Sequence, residues 1–368
     1  MRVLVTGSDG FIGKNLCIKL LELQNIQILK YNRNHDLEYL NECISQADFI
    51  FHLAGENRPK DENDFINVNS GLTKNICNLV KENNKNTPIA FTSSIQVEQS
   101  NLYGQSKLHA ETHLLNLHTE KNNPIYIYRL PNVFGKWCKP NYNSVVATFC
   151  HNICHNLPIE IHEPSTELNL VHIDTIIDSF ISLLFNKSSN KIYIKLDPIY
   201  KVTLGEISEY LYKFRDGQKT LLTEKVGTGF IRVLYATYIS YMPPTCFSYP
   251  LIKHEDSRGS FIEMLKTEDS GQFSFLTAHP GVTRGGHYHH VKSEKFLVIK
   301  GKARFGFRHV ITDEVFEIYA SGKQPKVVET IPGWSHDITN IGDDELIVML
   351  WANEIFDKDH PDTIAHKV

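Results

Sequence analysis

Long apolar runs are missing from this chain of 368 residues. None approaches the roughly 18 consecutive apolar residues that a bilayer-spanning helix needs, which excludes membrane insertion. An excess of positive charge is missing as well. The 38 Lys and Arg are outnumbered by 42 Asp and Glu, a formal charge of -4, so no basic surface is expected to hold nucleic acid through its phosphates. Cysteine is sparse: seven residues lie singly between Cys17 and Cys246, with no C-x-x-C pair. That reads as reduced thiols, not as a disulfide frame. Cys150 and Cys154 alternate with His151 and His155, but four ligands in six residues cannot all face one ion from a helix. The N-terminal Met-Arg-Val-Leu-Val-Thr-Gly lacks an apolar leader, so secretion is not expected and the cytoplasm is. With 41% hydrophobic and 22% charged residues, disorder and low complexity are excluded. At roughly 150 residues per domain, the length suggests about two domains.

The texture changes along the chain. Of 28 Asn, 26 fall before residue 191. The early part alternates short apolar runs (Val3–Val5, Phe49–Leu53, Ile89–Phe91, Ile125–Tyr128) with helical periodicity over Asn69–Lys81 and Gln105–Leu117. Strand and helix in repetition predict a parallel sheet covered on both faces. From about Tyr249 the pattern becomes close β-branched and aromatic runs: Phe273–Ala278, Lys295–Ile299, Ala303–Phe307, Val315–Tyr319 and Leu346–Trp351. These predict an all-β barrel or jelly roll. Leu204–Phe214 and Phe230–Tyr241 read as helices between the two. Pro243 and Pro244 make a plausible boundary, since prolines stop a helix. The domains expected are 1–245, whose part 191–245 is a small helical substrate or linker piece, and 246–368.

The first chemical motif is Thr6-Gly7-Ser8-Asp9-Gly10-Phe11-Ile12-Gly13, directly after a strand and opening a helix. Glycines there let the backbone approach a pyrophosphate seated on the positive end of the helix. The second strand ends Lys30-Tyr31-Asn32-Arg33, with no acidic residue to grip a ribose 2′-hydroxyl. Arg33 would pair with a 2′-phosphate instead, which favours NADPH over NADH; a plain solvated base is the bland reading.

The second motif is Tyr103-Gly104-Gln105-Ser106-Lys107, preceded by Phe91-Thr92-Ser93-Ser94. Residues at i and i+4 share a helix face, so the Lys107 ammonium is expected to lower the pKa of the Tyr103 phenol. Such a phenol donates a proton to a carbonyl oxygen that receives hydride. Ser94, or its neighbour Ser93, would share the hydrogen bond to that oxygen. With the glycine turn and His52-Leu53-Ala54-Gly55, residues 1 to about 185 resemble an extended short-chain dehydrogenase/reductase acting on nucleotide sugars. The resemblance implies a Rossmann-like α/β fold, with Asp36-Leu37 at the adenine position. It implies cofactor contacts from Gly7, Asp9, Gly10, Phe11, Ile12, Gly13, Arg33, Asp36, Leu37, Ala54 and Lys107. Arg129-Leu130-Pro131-Asn132-Val133-Phe134-Gly135 and Leu170-Val171-His172-Ile173-Asp174 match later landmarks; Asn132 and Arg129, with Ser94, would touch the sugar nucleotide. Ser94 is followed by Ile95-Gln96, where the 4,6-dehydratase branch has an Asp-Glu pair, so dehydration is not expected.

The third constellation is His287-Tyr288-His289, Glu294 and Gly301, with Gly333, His336 and Asn340 downstream. It resembles the two motifs of the cupins. Three imidazoles and a carboxylate converging in a β-barrel would make a site for zinc or another divalent metal; a hydrogen-bonded cluster that never sees metal is the bland reading. His290 is a possible substitute for one ligand. Arg284-Gly285-Gly286-His287-Tyr288 also resembles the dTDP-sugar 3,5-epimerases, metal-independent cupins in which this histidine is the general base. His287 is therefore a ligand or a base; one lone pair is used once.

Both domains, in this order, resemble the CapF-type bifunctional enzymes of capsule and O-antigen synthesis. That resemblance extends over Phe230–Tyr241, Ser248–Leu251, Asp256–Phe261 and Pro361–Thr363. It implies that the cupin epimerises C3 of a UDP-2-acetamido-2,6-dideoxy-hexos-4-ulose. The reductase would then reduce the C4 ketone with NADPH to UDP-N-acetyl-6-deoxy-L-talosamine, on the way to N-acetyl-L-fucosamine. Such a keto sugar is labile, so a homodimer that limits its escape is expected. The alternatives are a UDP-sugar C4 epimerase recycling bound NAD, its cupin a passive oligomerisation module, and a regulatory protein that senses a sugar. Net NADPH consumption would exclude the first, and turnover the second.

Overall fold

The computed structural model describes residues 1–59, 61, 62, 64–186 and 191–368. The chain forms two compact units: Met1–Leu211 with Arg232–Met242, and Tyr212–Ile231 with Pro243–Val368. Residues 212–231, expected with the first domain, thus group with the second. There Thr223 N donates to Lys266 O and Lys266 N to Leu221 O, both at 2.8 Å.

The first unit is built on strands β1 (Arg2–Thr6), β2 (Gln27–Tyr31), β3 (Phe49–His52), β4 (Ile89–Ser94) and β5 (Ile125–Leu130). They pair in parallel in the order β2-β1-β3-β4-β5. The short apolar runs are buried on both faces because consecutive side chains point to opposite sides. Val3, Val5, Phe49, Phe51, Tyr126 and Tyr128 share one core with helices α1 (Phe11–Leu21) and α6 (Ile173–Phe185). Leu4, Ile50, Ile89, Phe91, Ile125 and Ile127 share the other with α2 (Leu37–Gln46), α3 (Leu72–Glu82) and α4 (Leu102–Lys121). A π-helical turn, Phe65–Gly71, precedes α3. Strands β6 (Asn132–Phe134), β7 (Glu167–His172) and β8 (Tyr200–Thr203) form a small second sheet, and α5 (Val145–Cys154) lies between β6 and β7 in sequence. Helices α7 (Leu204–Thr220) and α8 (Gly229–Ile239) carry the chain between the units. The strand order reverses direction between β1 and β3, and open α/β sheets bind their ligands outside the strand ends at that point.

The second unit is an antiparallel two-sheet β structure. One sheet has the order β16-β13-β18-β11-β10-β9, the other β15-β14-β17-β12-β19. The strands are β9 (Lys253–Asp256), β10 (Gly259–Thr267), β11 (Gly271–Ala278), β12 (Thr283–Tyr288), β13 (Glu294–Lys300), β14 (Lys302–His309), β15 (Val315–Ser321), β16 (Val327–Glu329), β17 (Trp334–Asn340), β18 (Leu346–Ala352) and β19 (Ile364–Ala365). Phe296, Val298, Val348 and Leu350 of the first sheet share a core with Phe305, Phe307 and Ile338 of the second. Among the described residues no helix is long and apolar enough to cross a membrane.

Candidate functional site

The glycine turn follows β1 directly. Gly7 has φ +68°, and a Cβ on it would stand 2.8 Å from the Ala54 backbone, so only glycine fits beside the end of β3. A Cβ on Gly13 would stand 2.2 Å from Gly7 O. Helix α1 then begins with Gly10 as its N-cap and no side-chain cap, which leaves its first amides to a ligand. Beneath, Thr6 Oγ1 bonds His52 Nδ1 at 2.7 Å and accepts from Leu53 N and Ala54 N. His52 is fully buried, and burial pushes its pKa down to about 3, so it is a neutral structural link.

At the end of β2 the Arg33 side chain is 86% exposed and lies 3.6 Å from Glu56 Oε2. Asp9 accepts from Asn32 Nδ2 at 2.7 Å. Asp36 caps α2, accepting from Tyr39 N at 2.8 Å, and Leu37 next to it is exposed.

The Tyr103–Lys107 pair opens α4, whose N-cap Asn101 accepts from Gly104 N at 2.7 Å. Gly104 is required there, since a Cβ would stand 2.0 Å from Gln96 O. Ser94 is near enough to the Tyr103 phenol to lower its pKa, and its Oγ accepts from Gln96 N at 3.2 Å, whereas Ser93 Oγ points the other way and donates to Glu111 Oε1 at 2.5 Å. The strand pleat separates the two serines.

The expected lowering of the phenol by Lys107 is not what the structure shows. Burial pushes the Tyr103 phenol up, with the Ser94 hydrogen bond pulling the opposite way. Lys107 Nζ is buried and donates to Thr92 O at 2.9 Å. Burial pulls the amine down to about 8, partly opposed by the charge of Glu111. Gly55 makes room for it, because a Cβ there would stand 2.9 Å from Nζ.

Arg129, expected at the substrate, has its fork closed on the buried Glu111, with Nε to Oε1 at 3.0 Å and Nη2 to Oε2 at 2.8 Å. Its guanidinium also covers the Tyr193 ring. That ion pair ties α4 to β5 and engages the donors a substrate would use. Asn132 is exposed at the start of β6.

In the second unit, His287, His289, Glu294 and His336 converge, their ligand atoms all within 4.8 Å of one another. The local sequence explains the aim of His287. Strand β12 carries an extra residue against β17 between Gly285 and His287, and Gly285 and Gly286 have φ +92° and +81°. Such a bulge turns the strand and re-aims the next side chain. It sets His287 directly opposite His336 in the ladder. Gly285 is needed for close approach, since its Cβ would stand 2.9 Å from His336 O.

His289 Nε2 and His336 Nε2 lie 3.4 Å and 3.3 Å from Glu294 Oε2. Burial opposes the charge on Glu294, but those two imidazoles and Lys292 hold its carboxyl well below the usual range. Burial and the neighbouring His336 push His287 down to about 4, so it is neutral at pH 7. Both ring nitrogens of His336 are buried without an aligned hydrogen-bond partner. Three imidazoles and one carboxylate with orphaned nitrogens fit a divalent metal of the zinc type. His290 is exposed and outside the cluster, and His151 and His155 stack on each other, joining no ligand group among the described residues. His287, Glu294 and His336 line a cavity of about 270 Å³ with Arg258, Arg284 and Phe261.

One residue near this cluster was not singled out in the sequence. Asp362 accepts backbone hydrogen bonds from His290, Val291 and Lys292, and its carbonyl accepts from His289 Nδ1. It falls in the Pro361–Thr363 stretch of the resemblance, but nothing local gives it a role, because its partners lie some seventy residues earlier.

A nicotinamide-type dinucleotide turn with a Ser–Tyr–Lys group, joined to a barrel-borne His–Glu cluster, defines a two-centre enzyme of the nucleotide-sugar class. Residues 3–194 match the model of the NAD dependent epimerase/dehydratase family, and residues 254–364 match the polysaccharide biosynthesis C-terminal domain. The chain is 53% identical over its whole length to a UDP-2-acetamido-2,6-beta-L-arabino-hexul-4-ose reductase of Pseudomonas aeruginosa, covering 99% of that protein. It superposes on the crystal structure of the capsular polysaccharide assembling protein CapF from Staphylococcus aureus with a TM-score of 0.93. Sequence identity there is 42%, and all of both chains is covered. A UDP-glucuronic acid 4-epimerase from Bacillus cereus shares the fold over part of the chain, with 19% identity, a TM-score of 0.51, and 58% of this chain and 84% of that one covered. The chain belongs to the CapF-type bifunctional enzymes.

Proposed function

We propose that the two units perform successive steps on one UDP-linked 4-keto-6-deoxy amino sugar, C3 epimerisation in the second and C4 reduction in the first. The observation that carries the reading is a Ser–Tyr–Lys group in one unit and a converging His–Glu cluster in the other, on a chain whose full length is matched by a 4-keto sugar reductase. The order follows from chemistry. A proton on C3 is acidic only while C4 is a carbonyl, because the carbanion delocalises onto that oxygen as an enolate. Reduction then locks the configuration, giving UDP-N-acetyl-6-deoxy-L-talosamine.

In the first unit, NADPH supplies the hydride when bound. Tyr103 donates the proton to O4, and Ser94, beside the phenol, shares the oxygen. Lys107 holds positive charge beneath them, oriented by Thr92 O. The uncapped start of α1 receives the pyrophosphate, and Arg33 the 2′-phosphate, which selects NADPH.

In the second unit, His289, Glu294 and His336 would hold a metal, zinc by donor type, with His287 as fourth ligand or as the base. A metal there supplies Lewis-acid polarisation of a substrate oxygen. The cavity beside His287 admits the ring, and the cationic Arg258 and Arg284 in its wall suit an anionic nucleotide sugar. A cytoplasmic homodimer completes the reading, from the scattered reduced thiols and the lability of the keto sugar.

The test is incubation with the 4-keto sugar in deuterated water, followed by NMR. Deuterium should enter C3 without cofactor, and the talo product should form when NADPH is added. Absence of exchange without NADPH would remove the cupin from the chemistry, and a C4 epimer formed without net NADPH oxidation would favour a recycling epimerase.

A further inference from the structure

The segment after Pro361 runs as a strap past the strands that carry His287 and His336 and the loop that carries His289. Its first residue, Asp362, gathers three successive amides on one carboxylate: His290 N on Oδ1 at 2.8 Å, and Val291 N and Lys292 N on Oδ2 at 2.7 Å and 2.8 Å. These amides belong to the loop joining His289 to Glu294. The Asp362 carbonyl accepts from His289 Nδ1. Beyond it, Ile364 and Ala365 pair with Tyr288 and His287. His366 N donates to Gly286 O at 3.0 Å, and Ser335 Oγ donates to His366 O at 2.5 Å.

The hydrogen bond at Nδ1 decides the chemistry of the ring. An imidazole that donates from Nδ1 presents a lone pair at Nε2. That nitrogen faces Glu294 Oε2 at 3.4 Å, and His336 Nε2 faces the same oxygen at 3.3 Å. The His289 lone pair and the Glu294 oxygen so placed are reconciled by a cation between them. Ligating histidines are commonly oriented in this way, by a carbonyl on their second nitrogen.

We propose that Asp362 is a positioning residue for the metal centre, its carboxylate holding the His289–Glu294 loop so that its carbonyl fixes the His289 ring with Nε2 aimed at the cluster. The inference rests on the metal reading above. Any residue offers a carbonyl at this position; the carboxylate is what keeps that carbonyl in place.

The experiment uses the full-length protein, stripped by a chelator and titrated with zinc against a chromophoric competitor, with melting curves in zinc and in chelator. Asp362→Ala should weaken zinc by about 10- to 100-fold, the range typical of groups that orient ligands. It should also shrink the zinc-dependent rise in Tm while moving the zinc-free Tm little. Asp362→Asn, whose amide oxygen still accepts, should fall between the two and decides the matter if the alanine variant does not fold. Wild-type zinc affinity in these variants, with equal losses of Tm in zinc and in chelator, would make Asp362 a loop staple and overturn the proposal alone. If wild type and His336→Ala alike fail to take up zinc, the metal reading falls and this proposal with it.

Discussion

The two reaction centres differ in how their polar groups are satisfied. In the first unit nearly every group already has a protein partner: Lys107 on Thr92 O, Ser93 and Arg129 on Glu111, Gln96 N on Ser94, His52 between Thr6 and Thr73. Such a site keeps its shape without a ligand. In the second unit both ring nitrogens of His336 are buried without an aligned hydrogen-bond partner, and Glu294 Oε2 draws two imidazole nitrogens at 3.4 Å and 3.3 Å. A group left unpaired in the interior costs roughly 1–3 kcal/mol, so this site leans on its occupant. Mutations should therefore separate activity from stability in the first unit and join them in the second.

The largest effect is expected at Tyr103. Replacing it with Phe removes the acid that protonates O4, and general acid catalysis contributes about 10²- to 10⁴-fold. NADPH oxidation should fall by that factor while the melting temperature and deuterium exchange at C3 stay at wild-type values. NADPH oxidation at the wild-type rate would take Tyr103 out of the mechanism, and a lower Tm would break the contrast between the units.

Next come the ligands of the second unit. His336→Ala or Glu294→Ala should release the metal, stop C3 exchange and lower Tm together. Binding to the folded state alone contributes about 2.7 kcal/mol when zinc stands at 100 times its Kd. His287→Ala sharpens the comparison. Loss of metal as complete as in His336→Ala assigns it as a ligand, while loss of exchange with metal and Tm retained assigns it as the base.

Arg33→Ala should act on selectivity alone. A charge-assisted hydrogen bond contributes roughly 1.5–3 kcal/mol, and the exposure of this side chain puts it at the low end, near a tenfold loss in preference for NADPH over NADH. Equal weakening of both cofactors, measured as Kd, would make it a general structural residue.

How much of this was legible in the sequence depends on the range of the contact. The glycine turn, the pleated strands and the His-x-His spacing are local, and both the fold of each unit and the four-residue cluster follow from them. Three features are not local. The spacing of Tyr103 and Lys107 shows a shared helix face, but the ammonium is directed to Thr92 O across the helix–sheet contact, so the expected coupling to the phenol was misjudged. Arg129 looked free for substrate because its partner Glu111 lies on another element. The hold of Asp362 on residues 290–292 arises only when the C-terminal strap folds back.

The smallest expected effect tests the first half of the comparison most directly. Lys107 is buried and its amine is pulled down to about 8, from an ordinary value near 10.5. Below pH 8 the folded chain carries a buried charge whose cost an unfolded chain escapes. Between pH 8 and 10.5 the unfolded chain still binds the proton and the folded one does not, so Lys107 makes wild-type stability rise with pH through that window. Lys107→Met removes the charge and keeps the length of the side chain. Without cofactor, the variant should melt higher below pH 8 by about 1 kcal/mol, after the lost bond to Thr92 O is subtracted, which is a shift of about 2–4 °C for a domain of this size. Its advantage should shrink as pH rises from 8 to 10.5, while reductase activity is lost throughout. A variant that melts lower at pH 7 would show that the Lys107–Thr92 bond holds the fold together, and the first centre would then resemble the second in joining stability to function.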